Sequence, residues 1–290
     1  MSTRLILMRA LAYVVLLASG AATAGPGCAM ISGFDQYVSH ARGVIVGDMH
    51  GTIEAPAFLT DLVCNFTHTG RAIALGLEYP SSEQHFIDEY LRESKDSPRP
   101  ALLSTPFWTR PTQDGRTSQA MLKLLYSIRE QIRSGAHIRV IAFDASSADT
   151  AATRPRDGAA LFDWRDAAMA EYLRHELSNL NATDIPIIFA GNVHARKTKG
   201  LHAQNAPPGM VNAEPLGYRL RDLGFLDIDI DYRGGTLWTC FSPSDCGVHD
   251  GGERGRPVRP FAIAPSADSA YDLKYLVGSL TASPPAATKK

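Results

Sequence analysis

Four stretches of this chain run apolar and then stop on a side chain that can handle a proton, a ligand or a metal. "GVIVGDMHG" (residues 43–51) ends on Asp48 and His50, and "RAIALGLEYP" ends on Glu78. "HIRVIAFD" ends on Asp144, and "DIPIIFAGNVH" on Asn192 and His194. Imidazole titrates near neutral pH and ligates metals, and a carboxylate beside it can accept a proton or a cation. Ionisable groups at the border of a buried segment cost free energy unless they are paired, metal-bound or functional. Each has a plain alternative. A lone histidine after a strand is often solvated, Glu78 could be an acid beside the Pro80 turn, and Asp144 could cap the loop "ASSADT". The coincidence of all of them favours function.

The elements that would carry these residues alternate. "GVIVG" reads as a short buried strand and "IEAPAFLTDLVCNF" as a helix with Pro56 in its first turn. "RAIALGLEYP" reads as a strand, "EQHFIDEYLRES" as a helix, and "TSQAMLKLLYSIREQIRSG" as an amphipathic helix stopped by Gly135. "HIRVIAFD" and "DIPIIFAGNVH" are strands on either side of a helix over "DWRDAAMAEYLRHELSNL". That order predicts an α/β fold, a mostly parallel sheet with helices on both faces. In such a sheet the carboxyl ends of the strands share one edge, where ligands bind, so His50, Glu78, Asp144, Asn192 and His194 would converge. "FLDIDIDY" and "GGTLWTC" read as a strand pair at the sheet edge, giving C-terminal antiparallel edge strands. Residues 280–290, Ser-, Pro- and Ala-rich, read as a disordered tail.

The amino-terminal 24 residues stand apart. Arg4 and Arg9 precede an apolar run too short to span a bilayer, and Ala22–Ala24 form an A-x-A cleavage signature. Residues 1–24 are therefore expected to be a signal peptide and residues 25–279 a single domain, periplasmic or secreted, with no transmembrane segment after cleavage. An uncleaved anchor or a lipid on Cys28 are the alternatives. Loss of the two arginines leaves 27 basic and 30 acidic side chains, and no basic run is present, so nucleic acid is not an expected partner. The 44% of apolar residues suffices for a sizeable core. All four cysteines lie after residue 24. An even number in an exported chain favours disulfides, with Cys240–Cys246 closing across "CFSPSDC" and Cys28–Cys64 as the second pair; buried free thiols are the alternative. No G-x-S-x-G, Walker A, H-E-x-x-H or dinucleotide fingerprint occurs.

The Pro-rich stretch "SPRPALLSTPFWTRPTQDG" is long enough for a functional lid. Phe107, Trp108, Arg110 and Arg116 could wall a cleft with aromatic faces and cationic forks for an organic substrate; the alternative is a loop pinned by two rings. In "DWRD", Asp163 could be an N-cap and Asp166 could complete a capping box, which would leave Arg165 on the surface. His68, His85, His137, His175, His202 and His249 show no strand-end placement.

Taken in order, "GDMHG", "LEYP", "RDAAMA" and "AGNVHARK" resemble the superfamily of ChaN-like haem-binding lipoproteins, TIKI/TraB metalloproteases and erythromycin esterases. "RDAAMA" and "GNVHAR" are most similar to the ChaN-like branch. The match covers most of residues 43–200 and leaves the cysteine-bearing third unexplained. Asp48 departs from the pattern, since relatives more often carry glutamate there. The resemblance implies His50, Glu78 and His194 as the core of the site, with Arg165 and Asp166 in support. Two imidazoles and a carboxylate could hold a divalent metal with an open position for water. Without metal, Glu78 could take a proton from water while a histidine acts as acid and Arg165 steadies negative charge. Two functions follow: a hydrolase of an ester or amide in a small molecule or peptide, or a haem or iron-chelate carrier. For haem, Tyr79 is the candidate axial ligand.

Overall fold

The structure is a computed structural model, and it describes residues 28–93, 101–144, 154–156, 158–201, 209–253 and 261–287. The expected signal peptide, the "ASSADT" loop and His202 lie outside them. In chain order the elements begin α1 (Phe34–Tyr37), β1 (Val44–Asp48), α2 (Glu54–Thr67), β2 (Ile73–Pro80) and α3 (Gln84–Arg92). Then come α4 (Pro106–Thr109), α5 (Gln119–Arg133), β3 (Ile138–Asp144), α6 (Gly158–Ser178) and β4 (Ile185–Gly191). The last third holds α7 (Leu216–Leu220), β5 (Leu226–Asp231), β6 (Thr236–Ser242), β7 (Asp245–Asp250), β8 (Ile263–Pro265) and β9 (Leu273–Leu276).

The expected α/β sheet is present. Seven strands lie in the order β3-β2-β4-β1-β5-β9-β8, parallel except for β8, which runs antiparallel to β9 at the edge. Every residue of β1 and β4 is buried, as parallel strands covered on both faces require. On one face Val44, Val46, Leu75 and Leu77 pack with Phe58, Leu62, Leu124 and Leu125 of α2 and α5. On the other, Ile45, Ile141, Phe143 and Ile188 meet Met169 and Leu173 of α6. Helix α5 starts where the Ser118 side chain accepts a hydrogen bond from the Met121 amide at 3.3 Å. Among the described residues no helix is long and apolar enough to cross a membrane.

Two expectations are corrected. "FLDIDIDY" is not an edge strand, because β5 lies inside the sheet, parallel to both β1 and β9. Its alternating acids Asp227, Asp229 and Asp231 are all buried. Asp231 meets Lys274 at 3.4 Å and its own neighbour's amide at 3.0 Å. Burial, with the Asp272 charge beside it, pushes the Asp227 carboxyl up to about 8, so it holds a proton instead of a counter-ion. "GGTLWTC" pairs instead with residues 245–250, as the two-stranded antiparallel sheet β6–β7.

The tail is the second correction. Residues 280–287 are ordered, making short bridges to Thr52, Ser118 and Gly235, and Ser283 is buried. Backbone hydrogen bonds to loops distant in sequence hold the tail, and Leu280 and Ala287 pack into the core. Residues 288–290 lie outside the described residues.

Candidate functional site

Strand β1 delivers Asp48 to the carboxyl edge, and the chain turns at once through His50 and Gly51. Gly51 has φ +79°, and a Cβ there would come within 1.9 Å of the Trp238 carbonyl oxygen, so only glycine fits. The turn holds the His50 ring with Nδ1 2.9 Å from Asp48 Oδ1 and Nε2 3.5 Å from Glu78 Oε2. The last residues of β2 place Glu78 at the centre, where it is 4% exposed. Its Oε2 accepts from the Gly191 amide at 2.8 Å, and its Oε1 accepts from Arg165 Nη2 at 2.6 Å and Arg116 Nη1 at 3.1 Å. Asp144, at the end of β3, accepts from the same two arginines at 2.6 and 3.2 Å.

Helix α6 contributes three residues at helical spacing. Phe162 stacks on the His194 ring with centroids 4.9 Å apart. Arg165 reaches Glu78 and Asp144. Asp166, fully buried, accepts from His194 Nδ1 at 2.6 Å and from the Leu216 amide at 2.8 Å. The capping-box reading of "DWRD" is thereby overturned: α6 begins at Gly158, Asp166 supports a histidine, and Asp163 accepts from the Glu214 amide. Strand β4 runs out into Asn192 and His194. Asn192 acts through its backbone, its amide donating to Asp48 O at 2.8 Å and its carbonyl accepting from the Tyr271 hydroxyl at 2.6 Å. His194 Nε2 faces Glu78 Oε1 at 4.0 Å and Arg165 Nη1 at 3.5 Å.

His50, Glu78, Asp144, Arg165, Asp166 and His194 are thus gathered with Asp48 and Arg116. Trp108 is not a cleft wall. It has no exposed surface and packs edge-on against Tyr79 with centroids 6.0 Å apart, because α4 folds its rings under the loop. Tyr79 is buried beside Phe107 as well. Asp114 was missed by sequence reading: it accepts from Arg116 Nη2 at 2.7 Å and pairs with Arg110. An acid directly before a glycine is an ordinary turn pair and carries no sign of this role. Phe162 was missed too, although its place three residues before Arg165 was the available signal.

Burial opposes the charge on Glu78, but Arg165, His194, Arg116 and His50 override it and hold the carboxyl well below the usual range. Burial likewise opposes protonation of His50, yet Asp48 and Glu78 raise its imidazole to about 10. Arg165 similarly keeps Asp144 low against its burial. Glu78 is therefore a poor base, with both oxygens already occupied by N–H donors.

The donor set does not match a divalent cation. Glu78 has given its oxygens to guanidinium and amide donors, and Arg165 lies against the His194 nitrogen that a metal would need. Among the described residues, the group with three ligand atoms mutually within 4.8 Å is Cys28, Cys64 and His68, two of which form a disulfide. Haem fares no better: Tyr79, the candidate axial ligand, is buried against the Phe107 and Trp108 rings.

No protein-family model matches the chain, and no curated protein matches it either. Solved structures do. A succinoglycan biosynthesis protein superposes with a TM-score of 0.61 at 10% identity, over 84% of this chain and 89% of its own. An erythromycin esterase, EreC, in its open conformation superposes with a TM-score of 0.57 at 14% identity, over 83% and 91%. The likeness is one of fold. It agrees, as a fold, with the superfamily resemblance carried by the motifs. The haem-binding ChaN of Campylobacter jejuni aligns at 0.36 with 11% identity, over 72% of this chain and 86% of its own, too loosely to carry an argument.

Proposed function

We propose that this chain is an exported hydrolase that cleaves an ester or amide by acid–base chemistry at His50 and His194. One observation carries the reading: two aspartate-backed imidazoles present their Nε2 atoms to the same carboxylate, at 3.5 and 4.0 Å. An aspartate on Nδ1 fixes the ring and leaves Nε2 for the reaction, the logic of an oriented histidine base. His194, held by Asp166, takes the proton from the attacking water. His50, kept protonated by Asp48 and Glu78, gives a proton to the leaving group. Arg165, about a quarter exposed, faces the oxyanion that forms. Glu78 is the anchor that keeps both arginines and both rings in register. Pairing of all four cysteines as Cys28–Cys64 and Cys240–Cys246 supports an oxidising compartment, periplasmic or outside the cell.

The test is hydrolysis of a panel of nitrophenyl esters and anilides by chelator-treated protein. Turnover should survive chelation and fall about 10²–10⁴-fold in His194→Ala and in His50→Ala. Turnover that vanishes on chelation and returns with added metal overturns the metal-free mechanism. Absence of turnover across the panel, or full turnover in both variants, overturns the assignment of the site.

A further inference from the structure

The residues that read as a loose tail run between the two loops that carry site residues. The Ser283 amide donates to Gly51 O at 2.8 Å, and Thr281 O accepts from the Ile53 amide at 2.9 Å, so this segment grips the His50 turn on both sides. The same few residues grip the Arg116 loop. Pro284 O accepts from the Gln119 amide at 2.8 Å, the Ala286 amide donates to Thr117 O at 3.0 Å, and the Ser283 hydroxyl accepts from the Ala120 amide at 2.9 Å. These two loops touch directly, since a Cβ on Gly115 would lie 2.1 Å from the Gly51 amide nitrogen. Hairpin β6–β7 closes the node. The Trp238 amide donates to Gly51 O at 2.9 Å, the Cys240 amide to Gln113 O at 3.0 Å, and the Ala282 amide to Thr236 Oγ1 at 3.1 Å. Gly51 O thus receives one amide from the hairpin and one from the tail.

We infer that residues 281–287 are a positioning strap, with Ser283 as its pin, that sets His50 against Arg116 across Glu78. The inference rests on the hydrolase reading for its catalytic consequence and on geometry alone for its mechanical one. Neither β1 nor β2 supplies this registration. The strands place Asp48 and Glu78, but His50 and Arg116 sit on turns whose backbone groups are satisfied from the strap. Ser283 touches no reacting group; it acts through Gly51 and the first turn of α5.

Two measurements on the full chain, a chain ending at Leu280, Ser283→Ala and Ser283→Thr test this. Backbone hydrogen exchange in residues 49–53 and 113–118 should quicken about tenfold or more in the shortened chain, while residues 73–77 of β2 keep their protection. On whichever ester is turned over, kcat should fall about 10²-fold with KM little changed, as expected for misplaced catalytic groups. Ser283→Ala should show both effects more weakly, and Ser283→Thr, which keeps the oxygen, should restore them. Unchanged exchange in both loops overturns the strap. So does an equal loss of protection in β2, which would make the tail a general support of the fold. Quickened exchange with undiminished kcat overturns its catalytic role. If the unaltered chain turns over no ester or amide, the hydrolase reading fails, and hydrogen exchange alone decides the strap.

Discussion

Asp166 has no exposed surface and places one carboxylate oxygen on His194 Nδ1 and the other on the Leu216 amide. Asp166→Asn keeps the shape but cannot serve two N–H donors at once, so the imidazole loses its fixed tautomer. Turnover should drop about 10²–10⁴-fold, read as kcat on the most active ester, with far-ultraviolet circular dichroism unchanged. Glu78→Gln should be as severe for a different reason, since it leaves Arg116 and Arg165 facing a neutral amide. His50 also makes a statement about pH. Its folded-state value is raised to about 10 from an unfolded 6.5, so its contribution to stability is full below 6.5 and is lost as pH rises through about 10. The denaturation midpoint of the unaltered chain should exceed that of His50→Gln at pH 6, and the gap should close by pH 10.5. A gap that persists at pH 10.5 would show that Asp48 and Glu78 do not hold that proton.

At the scale of elements, the site depends on turns that sterics leave little choice. Ala in place of Gly51 must adopt φ +79° and meet the Trp238 carbonyl. The left-handed backbone alone costs roughly 1–2 kcal/mol, and an unfolding free energy from urea titration lowered by at least that much is the expected result. Strand β5 offers the opposite experiment. Burial and the neighbouring Asp272 raise the Asp227 carboxyl from 3.8 to about 8. Its contribution is intact below pH 3.8 and is lost progressively up to about 8, because the unfolded chain releases that proton first. Asp227→Asn should therefore stabilise the chain, by little at pH 4 and by a constant larger amount above pH 8. Denaturation midpoints at pH 4, 6 and 8.5 check this, and a variant less stable at all three would mean that the buried carboxyl has a partner worth keeping.

For the whole molecule, the two disulfides differ in what they constrain. Cys28–Cys64 spans 36 residues and ties the segment before α1 to α2, whereas Cys240–Cys246 spans 6 within one hairpin. Cross-links stabilise mainly by restricting the unfolded chain, more so for longer loops, typically by about 2–4 kcal/mol. Replacing Cys28 and Cys64 by serine should lower the melting temperature more than the same change at Cys240 and Cys246. The second change should act on the site through Gln113, whose amide lies 3.2 Å from Cys240 Sγ.

Much of this was legible in the residues themselves. Apolar runs ending on Asp48, Glu78, Asp144 and His194 announced strands whose carboxyl ends meet, because a parallel sheet leaves no other arrangement. Close spacing was enough to suggest the Cys240–Cys246 pair. What a strand's end does with its side chain was not legible. The sequence offered Glu78 as a base, and two arginines from distant segments donate to it. It offered Trp108 to a substrate, and α4 turned that ring into the core. It read "DWRD" as a helix start, and α6 began earlier and pointed Asp166 at a histidine. The tail looked featureless because strands and helices announce themselves by periodic burial, while a strap held by backbone hydrogen bonds carries no side-chain pattern. Local sequence determined which groups reach the edge of the sheet; long-range pairing alone decided their partners, and with them their charge and their chemistry.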